Sequence, residues 1–252
     1  MKIIAVSNQK GGVGKTTTAT NLAYGLQLRG NKVLLVDCDP QGNSTDTWRA
    51  SGEDGYPTLS DLLFTNEPAE ECIQHTEIGD ILAADKLLRE VDIRLKGVSG
   101  YYRLKNRLEA LVPMYDYAII DTPPNLGLLL QNALIAADGV IVPLTTSKYA
   151  LDGMGQFIET VNEVKSMPNP KLKVLGMLFV KYMERKVLAK EVENGLPEIL
   201  AQLDTAIFDA KIRLDEAIEK SQAARMPVNM YDPKARATCD YMEFAEEVTQ
   251  NG

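Results

Sequence analysis

Short apolar runs alternate with amphipathic stretches along the whole chain. Residues 2–7 (KIIAVS), 32–37 (KVLLVD), 117–121 (YAIID), 139–144 (GVIVPL) and 174–180 (VLGMLFV) are apolar without a polar position at every second place. Such continuous runs predict strands buried on both faces, as in a parallel sheet. Residues 15–29 put Ala19, Leu22, Ala23 and Leu26 on one face of a helix, and Gly30-Asn31 is a stop signal. Residues 152–166, 187–203 and 234–249 also read as helices. Strand followed by helix, repeated, predicts an α/β fold: a doubly wound, mostly parallel sheet with helices on both faces. With no internal repeat, low-complexity segment or linker, residues 1–252 read as a single domain. Residues 43–80 are the least periodic and read as an irregular excursion with one short helix near residues 59–64. Residues 101–111 (YYRLKNRLEAL) predict a helix with an apolar stripe through Tyr101, Leu104, Leu108 and Leu111.

Composition narrows the field. The 252 residues are 45% hydrophobic and 25% charged, as in an ordinary soluble domain. The N-terminus runs straight into a strand, and no stretch is apolar for long enough to read as a signal peptide or a membrane span, so a cytoplasmic protein without membrane contact is expected. Cys38, Cys72 and Cys239 fit no metal spacing, which suits a reducing compartment. Cys38 itself reads as a small core residue. His75 is the only histidine, which excludes a histidine-based metal site or triad. A net charge of −8 argues against a surface coated in positive charge but leaves room for a local basic patch.

The chemistry concentrates in QKGGVGKTTT, residues 9–18, between the first strand and the first helix. A P-loop reads G-x-x-x-x-G-K-[ST] in that setting. Gly14-Lys15-Thr16 supplies its second half, while Gln9 stands in the first glycine's place. The backbone N–H groups of residues 11–16 are expected to wrap phosphates, with Gly11, Gly12 and Gly14 allowing close approach. Lys15 would neutralise the β/γ-phosphates of ATP and Thr16 would ligate Mg²⁺. Lys10 is a second lysine that such a loop does not require.

The run Lys10-Gly11-Gly12-Val13-Gly14-Lys15-Thr16-Thr17 resembles the deviant phosphate loop of the ParA/MinD superfamily of P-loop NTPases. The resemblance implies that all eight residues bind nucleotide. It also implies that Lys10 reaches across an ATP-dependent homodimer to the partner's phosphates, adding positive charge in the transition state as an arginine finger does. VLLVDCDPQGNST, residues 33–45, ends a strand in two carboxylates at the edge where α/β sheets bind ligands. Asp37 and Asp39 flank Cys38 and so point to opposite sides of an extended chain. The resemblance assigns Asp39 to the attacking water and Asp37 to the magnesium side. Asp121, ending YDYAIID, resembles the aspartate that orients magnesium-bound water, and Thr122-Pro123-Pro124 resembles a switch that senses the γ-phosphate.

The likeness extends over nearly the whole chain. MYDPKARATCDYMEFAEEV, residues 230–248, is similar to the C-terminal pattern of Soj-like partitioning proteins. It implies an ATPase that binds DNA nonspecifically, associates with the nucleoid and is discharged by a ParB-like centromere-binding partner. Arg185 and Arg213 fall on the pattern's DNA-contact positions, where they would grip phosphates without reading sequence. The chain also departs from that pattern. Many such proteins carry Pro-Arg-Asn before the arginine, where the run here is Ile207-Phe208-Asp209-Ala210-Lys211-Ile212-Arg213, a change that touches the base contacts; residues 218–226 are longer than the usual turn and Ser147-Lys148 replaces an acidic-aromatic pair, changes that touch the DNA or partner surface. A MinD-like regulatory switch without DNA binding is the alternative. It would want a basic amphipathic C-terminal helix, and this chain ends EFAEEVTQNG.

Overall fold

A computed structural model describes residues 1–147, 150, 151, 153–183 and 190–250. Among them seven strands form one sheet in the order β3-β4-β2-β5-β1-β6-β7. They are β1 (Lys2–Val6), β2 (Val33–Asp37), β3 (Gln74–His75), β4 (Asp80–Leu82), β5 (Tyr117–Asp121), β6 (Gly139–Thr145) and β7 (Lys173–Val180). Every neighbouring pair is parallel except β3 with β4. The helices are α1 (Lys15–Leu28), α2 (Asn43–Thr47), α3 (Leu59–Phe64), α4 (Val91–Arg94), α5 (Gly97–Tyr101), α6 (Arg103–Leu108), α7 (Leu128–Ala136), α8 (Met154–Ser166), α9 (Lys190–Leu203), α10 (Glu216–Ala223), α11 (Val228–Tyr231) and α12 (Arg236–Gln250).

Alternate residues of each strand feed opposite faces of the sheet. Ala5, Leu34, Val36, Ala118, Ile120 and Val140 join a core with side chains of α3, α6, α7 and α8. Ile4, Val6, Leu35, Ile119 and Ile141 join a second core with Leu22 and Leu26 of α1 and Tyr241 and Phe244 of α12. The continuous apolar strand runs are explained by these two cores, each buried aliphatic side chain contributing about 1.5–3 kcal/mol. The sheet is therefore doubly wound, as the alternation of strands and helices predicted.

Two local expectations need correction. Residues 43–80 are not merely an excursion. The short helix expected at residues 59–64 is α3, but the segment also builds α2, and the β3–β4 hairpin that begins in it extends the sheet, with Leu34 opposite Asp80 and Val36 opposite Leu82. Strands of two and three residues are too short to carry a period. Residues 101–111 are not one helix: α5 ends at Tyr101, α6 follows, and a 3₁₀ turn covers residues 109–111. Leu104, Leu108 and Leu111 are buried, but Tyr101 is 43% exposed and lies off the stripe. The sequence reading also passed over α7, LLLQNALIA, which is apolar on nearly every side and so shows no amphipathic face.

Candidate functional site: a phosphate-binding loop at the carboxyl ends of the strands

β1 ends at Val6 and α1 begins at Lys15, so residues 7–14 turn back over the carboxyl edge of the central strands. Gly12 and Gly14 hold φ of +73° and +81°, the left-handed region that disfavours a side chain. Gly14 is also the N-cap of α1. A cavity of about 360 Å³ opens above the loop, within the size range of small-molecule sites. Gly11, Gly12, Gly14, Lys15, Thr16 and Thr17 form its floor; Asp39 and Asn43 stand on one side, and Val180, Lys181, Leu214 and Ile218 on the other. Val13 is buried beneath the loop.

Lys15 is 7% exposed, and its Nζ donates to the Lys10 carbonyl at 3.0 Å. Burial pulls its pKa down, while the Asp121 and Asp39 carboxylates act in the opposite sense. Lys10 does not share this cavity. It lines a neighbouring hollow of about 350 Å³ with Gly11, Gly12, Thr145, Thr146 and Ser147, and its backbone N–H donates to Asn8 Oδ1.

The three strand-end aspartates converge near the loop but differ in their partners. Asp39 lines the cavity, and its Oδ1 accepts from Gln41 N at 3.0 Å. Asp37 is fully buried. Its Oδ2 accepts from the Thr45 N–H at 2.7 Å and the Thr45 hydroxyl at 2.8 Å, and its Oδ1 accepts from Asp39 N at 3.1 Å. Asp37 is thus tied to α2 and to the backbone leading into Asp39. Asp121 is fully buried as well; its Oδ2 accepts from the Ser44 hydroxyl at 2.8 Å, and the Thr16 hydroxyl also donates to this carboxylate. Burial raises both carboxyl pKa values, and the mutual proximity of the acids adds to the rise. A buried pair of this kind calls for a positive charge.

That charge fits a magnesium ion. Asp121 Oδ1 is buried without a hydrogen-bond partner, and the Thr16 hydroxyl lies beside it. Among the described residues no three His, Cys, Asp or Glu side chains form a metal-holding cluster. Magnesium suits such a place, being commonly held by one or two protein oxygens plus phosphate and water. Thr122 is buried and donates to the Val6 carbonyl at 2.9 Å, fastening β5 to β1; Pro124 reaches the cavity wall. Cys38 is a buried core residue whose thiol pKa is raised by burial.

Sequence reasoning missed the far wall of the cavity. Lys181, Leu214 and Ile218, together with Glu219 and Gln222 of α10, carry no motif. The available signal was positional: Lys181 directly follows an apolar strand, at the edge where ligands bind. Residues 218–223 of the segment that read as a longer turn are helical, in α10, and Gln222 Nε2 donates to the Thr17 hydroxyl of α1 at 2.8 Å.

Of the expected DNA contacts, Arg213 alone falls among the described residues. Arg185 and Lys148 lie outside the described residues. Arg213 forms a forked ion pair with Asp240 of α12, NH2 to Oδ1 at 2.6 Å and Nε to both carboxylate oxygens at 3.0 Å. Arg225 pairs with Asp46 at 3.0 Å and Lys220 with Glu216 at 3.1 Å. The C-terminal helix α12 buries Tyr241, Phe244, Ala245 and Val248 against the body of the protein. Among the described residues no helix is long and apolar enough to cross a membrane.

Loop, magnesium-compatible carboxylate and parallel sheet define a P-loop nucleotide-binding protein. The AAA domain family matches residues 1–174. The chain is 36% identical to the chromosome partitioning protein ParA of Caulobacter vibrioides, covering 98% of this chain and 94% of that protein. It is 37% identical to the sporulation initiation inhibitor protein Soj of Bacillus subtilis, covering 100% and 99%. Among solved structures, cobyrinic acid a,c-diamide synthase from Mycobacterium smegmatis with bound ADP and magnesium superposes with a TM-score of 0.83 at 31% identity, covering 99% and 94%. A plasmid partition protein of Borrelia burgdorferi bound to AMPPNP superposes with a TM-score of 0.77 at 26% identity, covering 99% and 97%. The chain belongs to the ParA/Soj family of partitioning ATPases.

Proposed function

We propose that this single-domain protein hydrolyses ATP with Mg²⁺ as a DNA-partitioning switch. In the ATP state it forms a face-to-face homodimer that binds DNA nonspecifically on the nucleoid in the cytoplasm. A ParB-like centromere-bound partner stimulates hydrolysis and so releases it. The observation that carries this reading is the different placement of the two loop lysines. Lys15 is buried and lines the nucleotide cavity, whereas Lys10 lines only the adjoining hollow, which shares Gly11, Gly12, Lys181 and Leu214 with that cavity.

The residues act as follows. The N–H groups of residues 11–16 hold the phosphates, with Thr17 continuing into α1. Lys15 exchanges the Lys10 carbonyl for phosphate oxygens and neutralises their charge. Thr16 and Asp121 would hold magnesium, which would supply positive charge beside the phosphates. Asp37 acts from behind, holding α2 and the Asp39 backbone in place. Asp39, at the cavity rim, orients the attacking water. Lys10 completes the partner's site, so hydrolysis waits for dimerisation. Two copies of a basic surface in the dimer would bind DNA far more tightly than one.

Lys10→Ala tests this directly. ATP affinity should stay within about threefold while kcat falls by about 10²–10³, the usual scale for losing one transition-state cation or donor. Wild-type turnover in the variant would sink the reading. A second reading, a MinD-like or other regulatory ATP switch without DNA contact, gains support from the Arg213–Asp240 pair, which engages a predicted DNA contact inside the protein. Reversing the charge at Arg185, with Arg213 left to its ion pair, separates the two: loss of DNA binding by an intact dimer supports partitioning, and no change supports the switch.

A further inference from the structure

The far wall of the nucleotide cavity contains a third lysine close to the phosphate loop. β7 ends at Val180, and Lys181 follows with φ +52°, the left-handed region that a residue with a side chain rarely enters. The kink is fixed from both sides: Ile212 N donates to the Phe179 carbonyl at 2.8 Å, and Tyr182 N donates to the Ile212 carbonyl at 2.9 Å. It directs the Lys181 side chain back across the sheet edge, where Nζ donates to the carbonyl of Gly12 at 3.0 Å. Strain held in place by surrounding bonds is common where a side chain has a task.

What that bond does follows from the geometry of an amide. In a planar trans peptide the C=O and the next N–H point in opposite directions. An ammonium that grips the Gly12 carbonyl therefore fixes the direction of the Val13 N–H. Lys15 on the Lys10 carbonyl does the same for the Gly11 N–H. Gly11 and Gly12, the latter at φ +73°, lie between these two peptides and would otherwise let them swing. The two grips are not equivalent. Lys15 must leave its carbonyl to meet phosphate, whereas Lys181, on the opposite wall, can stay.

Resting on the nucleotide-site reading above, we propose that Lys181 is a positioning residue that holds the phosphate loop in its binding conformation by anchoring the Gly12 carbonyl. It acts on nucleotide binding and not on the chemical step, and it serves ADP and ATP alike because the peptide it orients belongs to the loop itself.

Lys181→Met keeps the aliphatic stem and removes the ammonium; Lys181→Arg retains a charged donor. Titration calorimetry of the full chain with Mg-ADP and with a magnesium-bound non-hydrolysable ATP analogue, at 0.1 and 0.5 M NaCl, reads the effect. For Lys181→Met the expected result is about five- to tenfold weaker binding of both nucleotides, the scale of one charge-assisted hydrogen bond, with the same loss at both salt concentrations. KM for ATP should rise in step while kcat stays within about twofold, Lys181→Arg should recover most of the loss, and the nucleotide-free melting point should not move. Unchanged affinity overturns the proposal. So does a loss that disappears at high salt, which would mark long-range attraction only, or one shared equally by Lys181→Arg. Lys15→Ala, run alongside, should abolish binding. If it binds as wild type does, the nucleotide-site reading fails and this inference with it; if it loses binding while Lys181→Met does not, only the role of Lys181 fails.

Discussion

The phosphate-loop rim and the C-terminal segment around Arg213 are built from different material. The rim is made of backbone: N–H groups of residues 11–16, glycines in left-handed conformations, and carboxylates at the ends of β2 and β5. In the C-terminal segment the material is side-chain charge, and neighbouring acids decide what that charge can do. Lys15 is buried where phosphate would sit. Arg213, which the resemblance implied for DNA, is gripped by Asp240, 27 residues further on. A site made of backbone is committed by its local sequence; a surface made of long side chains is committed only once its partners are known.

Arg213→Ala should show the largest loss of stability. Its partner Asp240 has a side chain only 5% exposed, and removing the arginine leaves that carboxylate uncompensated, at a cost of about 2–3 kcal/mol in urea unfolding. Asp240→Asn is the complementary test: if Arg213 contacts DNA once released, ATP-state affinity for a random duplex should rise about fivefold. Unchanged affinity would make the pair purely structural. Gly52→Ala probes the segment whose order the sequence hid. A Cβ there would run into the Ala84 carbonyl, so about 2 kcal/mol of stability should go; a neutral result would mean that this segment is as loose as its sequence suggested. The smallest effect is expected at Asp215, the N-cap of α10 beside the cavity. The Ala217 N–H holds its carboxyl below the usual range, against the opposing effect of burial. Asp215→Asn keeps a capping oxygen but loses the charge, and should cost about 0.5 kcal/mol at pH 7. A depressed acid stabilises above its unfolded pKa and loses that stabilisation as pH falls through its folded value, so the gap between wild type and variant should narrow below about pH 4.

The same distinction explains what could be read from the sequence. The central strands were legible because burial on both faces makes them continuously apolar, and α1 because Ala19, Leu22, Ala23 and Leu26 repeat at helical spacing and all reach the core. The phosphate loop was legible because glycine spacing and a lysine before a threonine encode a backbone shape. β3 and β4 were not, being two and three residues long, nor was α7, whose uniform apolarity suppresses a helical period. The orientation of Asp37 depends on Thr45, a residue of α2, which the sequence did not show as a helix. The bond made by Lys181 was no more legible than the Arg213 pair, because it ends on a carbonyl 169 residues away in sequence.

The measurement that tests the central claim most directly is fluorescence anisotropy of a random-sequence DNA duplex titrated with the protein in ATP, in ADP and without nucleotide, at low and moderate salt. The ATP-driven partitioning switch predicts tight binding in ATP alone, weakening steeply as salt rises, because the grip is on phosphates. Equal binding in all three states, or none in any, would contradict it and leave an ATP-binding protein whose nucleotide state governs something other than DNA.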